Sequence, residues 1–200
     1  MVERGLAKSR SQAQSLIMAG RVYLDNSKLE KPGSQVGRDV AIEVRGKEYP
    51  WVSRGGMKLD HGLNHFCIDM LGATCLDIGA STGGFTDVLL ARGATSVYAV
   101  DVGHGQLDWK LRQDERVIVL ERTNARYLTS GAIPTPISFL CCDVSFISLM
   151  VVLPNSMAMV SEGGYLVALI KPQFEVGKGQ VGRGGVVRDP GQHNLVCDRI

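Results

Sequence analysis

Hydrophobic positions near the start of the chain predict one short helix and two short strands. Arg10–Met18 carries a helical pattern, with Ser9 as its N-cap and Gly20 suited to the left-handed conformation that ends a helix. The apolar runs Val22–Leu24 and Val40–Val44 predict strands. Residues 1–46 therefore predict a small αβ domain.

Beyond a linker with glycine and proline, predicted at residues 47–58, the hydrophobic pattern alternates. Strands are predicted at 74–78, 96–100, 117–120, 137–142 and 165–170, and helices at 59–71, 84–92, 108–113 and 148–160. Such continuous apolar runs are typical of a parallel sheet covered by helices on both faces. Residues 59–200 therefore predict a Rossmann-like α/β domain. Because its sheet stops after five strands, we expect it to be incomplete at the C-terminus.

The net charge of +2 does not by itself predict a partner, but the distribution of charge along the chain does. Residues 1–58 carry a formal charge of +5, and residues 59–200 carry −3. A basic front part before a mildly acidic domain favours a polyanion-binding appendage. Hydrophobic residues make up 44% of the chain, which excludes a disordered protein.

The sequence also limits location and metal chemistry. No apolar stretch is long enough to cross a membrane and the first residues lack the apolar run of a signal peptide, so we expect a soluble, cytoplasmic protein. The five cysteines include no Cys-x-x-Cys pair, which favours reduced thiols. His61 and His65 have the spacing of a metal pair, but no third ligand accompanies them, so no metal site is predicted.

A glycine-rich segment at the first turn of the alternating region predicts a cofactor site. There the backbone can approach a ligand closely, and the following helix offers free N–H groups. Asp101 ends the next strand, where doubly wound folds carry the acid that binds ribose hydroxyls. The predicted cofactor contacts in these two segments are Asp77, Gly79, Ala80, Ser81, Thr82, Gly83, Gly84, Asp101 and Val102.

The chemistry of this loop favours S-adenosylmethionine over NAD. The dinucleotide fingerprint is G-x-G-x-x-G, whereas Ser81 stands here at the position of the middle glycine that approaches a pyrophosphate. Asp77 would repel a pyrophosphate but suits a ligand that carries an ammonium or a sulfonium group. A tight strand-to-helix turn without a ligand is the alternative.

Four segments together resemble the TlyA family: Val52–Leu59, Asp77–Gly84, Cys142–Leu149 and Ile170–Glu175. Members of that family are S-adenosylmethionine-dependent 2′-O-methyltransferases of ribosomal RNA with an FtsJ-like domain, often labelled haemolysins. In front of it they carry an S4-type RNA-binding domain, and Ser9–Val22 is similar to its core motif. The resemblance covers essentially the whole chain. It implies methylation of a ribose 2′-hydroxyl, of cytidine, in ribosomal RNA or ribosomal subunits.

The resemblance also assigns three members of the FtsJ-like pattern Lys, Asp, Lys, Glu to Lys58, Asp143 and Lys171. Asp143 and Lys171 follow neighbouring strands, at whose carboxyl ends open sheets bind substrates. A ribose hydroxyl needs a base, and Lys171 is the candidate. Lys58 would supply charge that favours neutral Lys171, and Asp143 would orient the lysine or the cofactor. No Glu follows Glu175, so the fourth member is expected beyond residue 200.

The remaining predicted contacts are less specific. Asn124 follows the third strand, where such folds contact the adenine, and Asp143 is a second candidate contact of the cofactor. The basic residues predicted to contact RNA phosphates are Arg4, Lys8, Arg10, Arg21 and Arg54. A solvated charged face is the alternative interpretation of that group.

Two other function classes remain open. A membrane-active haemolysin would need an amphipathic or spanning segment, whereas the two best helices, 59–71 and 148–160, are short and are explained as cover for the sheet. We therefore expect no stable membrane association. An RNA-binding protein whose transferase fold has lost its activity is the second class, and methylation of a substrate separates it from an enzyme.

Overall fold

The structure is a computed structural model that describes residues 1–7, 9–18, 20–46, 49–177 and 179–200. The chain divides into two compact units, Met1–Pro50 and Trp51–Ile200. The boundary falls inside the segment 47–58 that the sequence predicts as a linker, and residues 51–58 belong to the second unit.

The first unit contains one helix and a small antiparallel sheet. Its elements are α1 (Arg10–Met18), β1 (Val22–Leu24), β2 (Ser27–Lys28) and β3 (Ile42–Val44), with the strand order β2-β1-β3. Ser9 caps α1, since its Oγ accepts a hydrogen bond from the backbone of Gln12 at 3.2 Å. Asp25 and Asn26 both have positive φ, which is the geometry of a two-residue hairpin turn and explains the short strand β2 that the sequence did not predict.

The second unit is built on a five-stranded parallel sheet with the order β6-β5-β4-β7-β8. This confirms the predicted Rossmann-like fold class. A 3₁₀ turn at Ala125–Tyr127 follows β6. The elements are α2 (Gly56–His65), β4 (Thr74–Ile78), α3 (Gly84–Ala91), β5 (Ser96–Val100), α4 (Trp109–Arg112), β6 (Val117–Leu120), β7 (Ile137–Cys142), α5 (Leu149–Met157), β8 (Val160–Ala168), α6 (Pro172–Glu175) and α7 (Pro190–Arg199).

Of the predicted elements, α2 and β8 differ most from the structure in their bounds. Helix α2 ends at His65 instead of residue 71, because Cys67 adopts a φ of 53° and the N–H of Ile68 donates to the carbonyl of Leu63. This is a Schellman ending with cysteine where glycine is usual. Strand β8 begins at Val160 instead of residue 165, because an irregularity in its pairing with β7 accommodates the glycine-containing stretch before Tyr165.

Apolar side chains cover both faces of the parallel sheet. On one face Leu59 and Leu63 of α2 and Val88 and Leu89 of α3 pack against Phe139 and its neighbours. On the other face, α5 packs on the side chains of β4 and β7; this cluster includes Leu76, Ile78, Leu140, Leu149 and Val152. With both faces covered, the carboxyl ends of the strands are the open edge of the unit.

Candidate active site

The loop after β4 has the backbone geometry that its glycines predict. Gly79 and Gly83 have φ values of 82° and 93°, and Ser81 between them has a φ of 49°. A Cβ on Gly79 would lie 3.0 Å from the carbonyl oxygen of Asp143. Glycine at position 79 therefore lets the loop after β4 approach the loop after β7.

The N–H groups of this loop are largely used inside the protein. Gly79 and Ala80 both donate to the carbonyl of Val100, and Gly83 donates to that of Ala80. Ser81 donates to the Oδ2 of Asp101 at 2.9 Å. A pyrophosphate needs free N–H groups at such a turn. The loop therefore offers few free N–H groups to a pyrophosphate.

Asp101 organises the neighbouring loop as well. Its Oδ1 accepts from the backbone of Gly103 at 2.6 Å, so one carboxylate joins the turns that follow β4 and β5. Gln106 from the second turn lies 3.3 Å from the Oγ of Ser81. Asn124 caps the 3₁₀ turn after β6 by accepting from the backbone of Arg126.

These loops surround a cavity of about 760 Å³ at the carboxyl ends of the strands. The predicted site residues that line it are Lys58, Gly79, Ala80, Ser81, Thr82, Gly84, Asp101, Val102, Asn124, Asp143 and Lys171. Lining residues that were not predicted include Ser53, Gln106, Thr123, Val144, Ser145 and Phe146. Five of these six lie in the segments that carry the TlyA resemblance or next to Asn124, so the motifs indicated their position but not their role.

Asp77 and Gly83 are the two predicted cofactor contacts that do not line the cavity. Asp77 is fully buried, and it accepts from the Oγ1 of Thr86 at 2.7 Å and from the thiol of Cys141. Burial raises its pKa to about 6. A Cβ on Gly83 would collide with Leu111. Both residues therefore lie on the buried side of the loop, away from the cavity.

Three charged side chains meet beside the glycine-rich loop. The ammonium of Lys58 pairs with the Oδ2 of Asp143, and that of Lys171 lies 2.6 Å from its Oδ1. Lys171 also donates to the carbonyl of Val144 at 2.7 Å and to the Oγ of Ser145 at 3.1 Å. Burial opposes the ionisation of Asp143, but hydrogen bonds from Lys171 and Lys58 outweigh it and lower its pKa. The structure thus brings the three predicted catalytic residues together.

Phe146 stands out on the surface of the cavity. It is 90% exposed and has a φ of 66°, an uncommon conformation for an aromatic residue. Its ring contacts that of Phe174, with 5.0 Å between the centroids. The loop between Asp143 and Ser148 therefore presents an aromatic face to solvent next to Lys171.

The predicted RNA-contacting residues occupy different environments. The guanidinium of Arg4 donates to the carbonyls of Arg38 and Val40, and that of Arg21 donates to the carbonyl of Gly46, so these two groups brace the first unit. Three further placements complete the set: Arg10 is exposed on α1, Arg54 is exposed before α2, and Lys8 lies outside the described residues.

Among the described residues, no group of three His, Cys, Asp or Glu side chains could hold a metal ion. None of the helices in the described ranges has the length and hydrophobicity that crossing a bilayer requires.

Two protein families match different ranges of the chain. Residues 51–200 match the FtsJ-like methyltransferase family, and residues 1–42 match the S4 domain.

Individual relatives cover most of the chain. The 16S/23S rRNA (cytidine-2′-O)-methyltransferase TlyA of Mycobacterium tuberculosis is 55% identical over 95% of this chain and 71% of its own length. Hemolysin A of Brachyspira hyodysenteriae is 43% identical over 92% of this chain and 77% of its own. A solved structure from Streptococcus thermophilus, described as a hemolysin, superposes with a TM-score of 0.78 at 44% identity, over 98% of this chain and 72% of that one.

Proposed function

Because the chain belongs to the TlyA family of FtsJ-like methyltransferases, with an S4 domain in front, we propose that it methylates a ribose 2′-hydroxyl of ribosomal RNA. The family and relative matches confirm the family that the sequence motifs predicted. The observation that carries the proposal is the cluster of Lys58, Asp143 and Lys171 at the edge of the cavity. The name of the Mycobacterium tuberculosis relative supports cytidine as the acceptor.

The cavity fits the cofactor of this family. When bound, S-adenosylmethionine supplies an electrophilic methyl carbon on a sulfonium. Asp101 would hold the ribose hydroxyls, since each of its oxygens accepts only one protein hydrogen bond and has capacity for another. Gly79 to Ser81 would contact the cofactor through a backbone whose N–H groups already have partners, which suits a ligand without phosphate.

Lys171 is the proposed base. A lysine accepts a proton only as the neutral amine, and its Nζ would take the proton of the 2′-hydroxyl. Val144, Ser145 and Asp143 fix this nitrogen from three sides, so its position is set before the substrate arrives. The ammonium of Lys58 pairs with the other carboxylate oxygen of Asp143, Oδ2.

The RNA contacts follow from the first unit and from the aromatic face of the second. Arg10 is exposed on α1 and suits a phosphate contact. Phe146 offers an exposed ring beside Lys171, against which the base of the acceptor nucleotide would stack while its hydroxyl faces the lysine.

Transfer of labelled methyl groups tests the proposal. The protein, labelled S-adenosylmethionine and either unmodified ribosomal subunits or 16S and 23S RNA are incubated, and the label in RNA is counted. Wild type should label the RNA and Lys171→Ala should not. Lys110→Ala is the matched control, because Lys110 also pairs with an aspartate, Asp87, but does not line the cavity. No label with wild type, or full label with Lys171→Ala, would contradict the proposal.

A further inference from the structure

Glu175 is a buried carboxylate at the end of α6, four residues after Lys171. Its side chain is 1% exposed. Its Oε1 accepts from the backbone N–H of Leu149 at 2.8 Å, and its Oε2 accepts from the hydroxyl of Ser148 at 2.6 Å. Both donors belong to the N-terminus of α5. Glu175 therefore connects the segment that carries Lys171 to the end of the loop that begins at Asp143.

The segment 171–175 contacts this loop along its whole length. Lys171 donates to Val144 and Ser145, and the ring of Phe174 contacts that of Phe146. Glu175 then binds the last residue of the loop and the first residue of α5. The loop that carries Asp143 and the segment that carries Lys171 are therefore in contact near both of their ends.

The need to cap α5 does not by itself explain why the carboxylate of Glu175 is buried there. Ser148 already caps α5, since its Oγ accepts from the backbone of Met150 at 3.2 Å. A buried charge is costly unless donors surround it. Here the N-terminus of α5 and Arg199, whose guanidinium lies 3.8 Å from Oε2, offset that cost.

We propose that Glu175 is a positioning residue for methyl transfer: by fixing residues 143–148 it keeps Val144 and Ser145 in contact with the Nζ of Lys171. The inference rests on the proposed function of the same site. Glu175 touches neither the cavity nor the three charged residues, so it acts through the loop.

Kinetics of matched variants test the proposal. Glu175→Ala should lower the kcat of methyl transfer about tenfold or more, while the Kd for S-adenosylmethionine changes by less than about threefold. Glu175→Gln should keep most of the activity, because the amide oxygen accepts from Leu149 and its NH₂ group can donate to Ser148. Asp69→Ala is the control: the carboxylate of Asp69 also accepts a backbone N–H, that of Leu71, but Asp69 lies before the start of β4, at the amino ends of the strands. It should keep the wild-type kcat.

Hydrogen exchange measures the loop independently of activity. In Glu175→Ala, exchange should rise in peptides covering residues 143–149 and stay unchanged over residues 79–84. Glu175 would have no positioning role if Glu175→Ala kept its kcat, or if kcat, cofactor affinity and thermal stability fell together in both Glu175 variants. If wild type shows no methyl transfer, the proposed function fails, and unchanged exchange at residues 143–149 would separately refute the role of Glu175.

Discussion

Replacing Asp143 with Asn removes the negative charge between two ammonium groups. Asp143 is 16% exposed, and its partners Lys58 and Lys171 are 45% and 22% exposed. The variant keeps the shape of the side chain but leaves the two lysines facing a neutral amide. Both the stability of the second unit and the geometry of the site should therefore respond.

The magnitude follows from the two ion pairs. Hydrogen bonds to charged groups contribute about 1.5–3 kcal/mol each, and the pair with Lys58 belongs near or below the lower end because that lysine is nearly half exposed. We expect the free energy of unfolding to fall by about 2 kcal/mol. Because the pKa of Asp143 is lowered in the folded state, its contribution is present above the unfolded pKa and disappears as pH falls through the folded value. The difference from wild type should therefore narrow in acid.

Urea denaturation followed by tryptophan fluorescence measures this difference, since Trp51 and Trp109 both lie in the second unit. Asp114→Asn is the control, because the pair of Asp114 with Arg116 is local and partly exposed and should contribute less than about 1 kcal/mol. The same preparations are assayed for single-turnover methyl transfer, which should fall about a hundredfold or more in Asp143→Asn. A variant with wild-type stability and wild-type transfer would refute the role given to this carboxylate.

Three further predictions concern the cofactor, the sheet and the RNA. Asp101→Ala should weaken S-adenosylmethionine binding by about 1–3 kcal/mol in calorimetry, and equal affinity would remove Asp101 from the ribose site. Asp77 has a raised pKa of about 6, so its ionisation should lower the stability of wild type as pH rises from about 4 to about 6. Asp77→Asn should lack that decline in thermal denaturation, and parallel pH profiles would contradict it. Arg10→Ala should weaken RNA binding and reduce its salt dependence, whereas Arg21→Ala should mainly destabilise the first unit; the reverse pattern would exchange their roles.

Four of the five strands of the parallel sheet could be predicted from the sequence, and the start of the fifth, the edge strand β8, could not. β4 to β7 are continuous apolar runs between turns, and their bounds agree with the prediction. β8 begins at Val160, and its next residues, Ser161 to Gly164, have the composition of a turn and enter the sheet only through an irregular pairing with β7. The end of α2 was missed because Cys67 adopts the left-handed conformation, which sequence patterns assign to glycine.

The meeting of the charged residues was predictable because Asp143 and Lys171 follow adjacent parallel strands. The direction of Asp77 was not, since its side chain faces α3 and the hydroxyl of Thr86 instead of the open edge. Glu175 was also beyond the sequence analysis. Its role depends on contacts with Ser148 and Leu149, which lie 27 and 26 positions earlier in the chain.

Nucleoside analysis of methylated RNA shows directly whether the protein methylates the ribose of ribosomal RNA. Ribosomal RNA treated with the protein and S-adenosylmethionine is digested to nucleosides, and mass spectrometry locates the added methyl group. The account predicts a methyl group on the ribose, as 2′-O-methylcytidine, that is absent when Lys171→Ala is used. A methyl group on a nucleobase instead, or a ribose methyl group formed equally by Lys171→Ala, would contradict it.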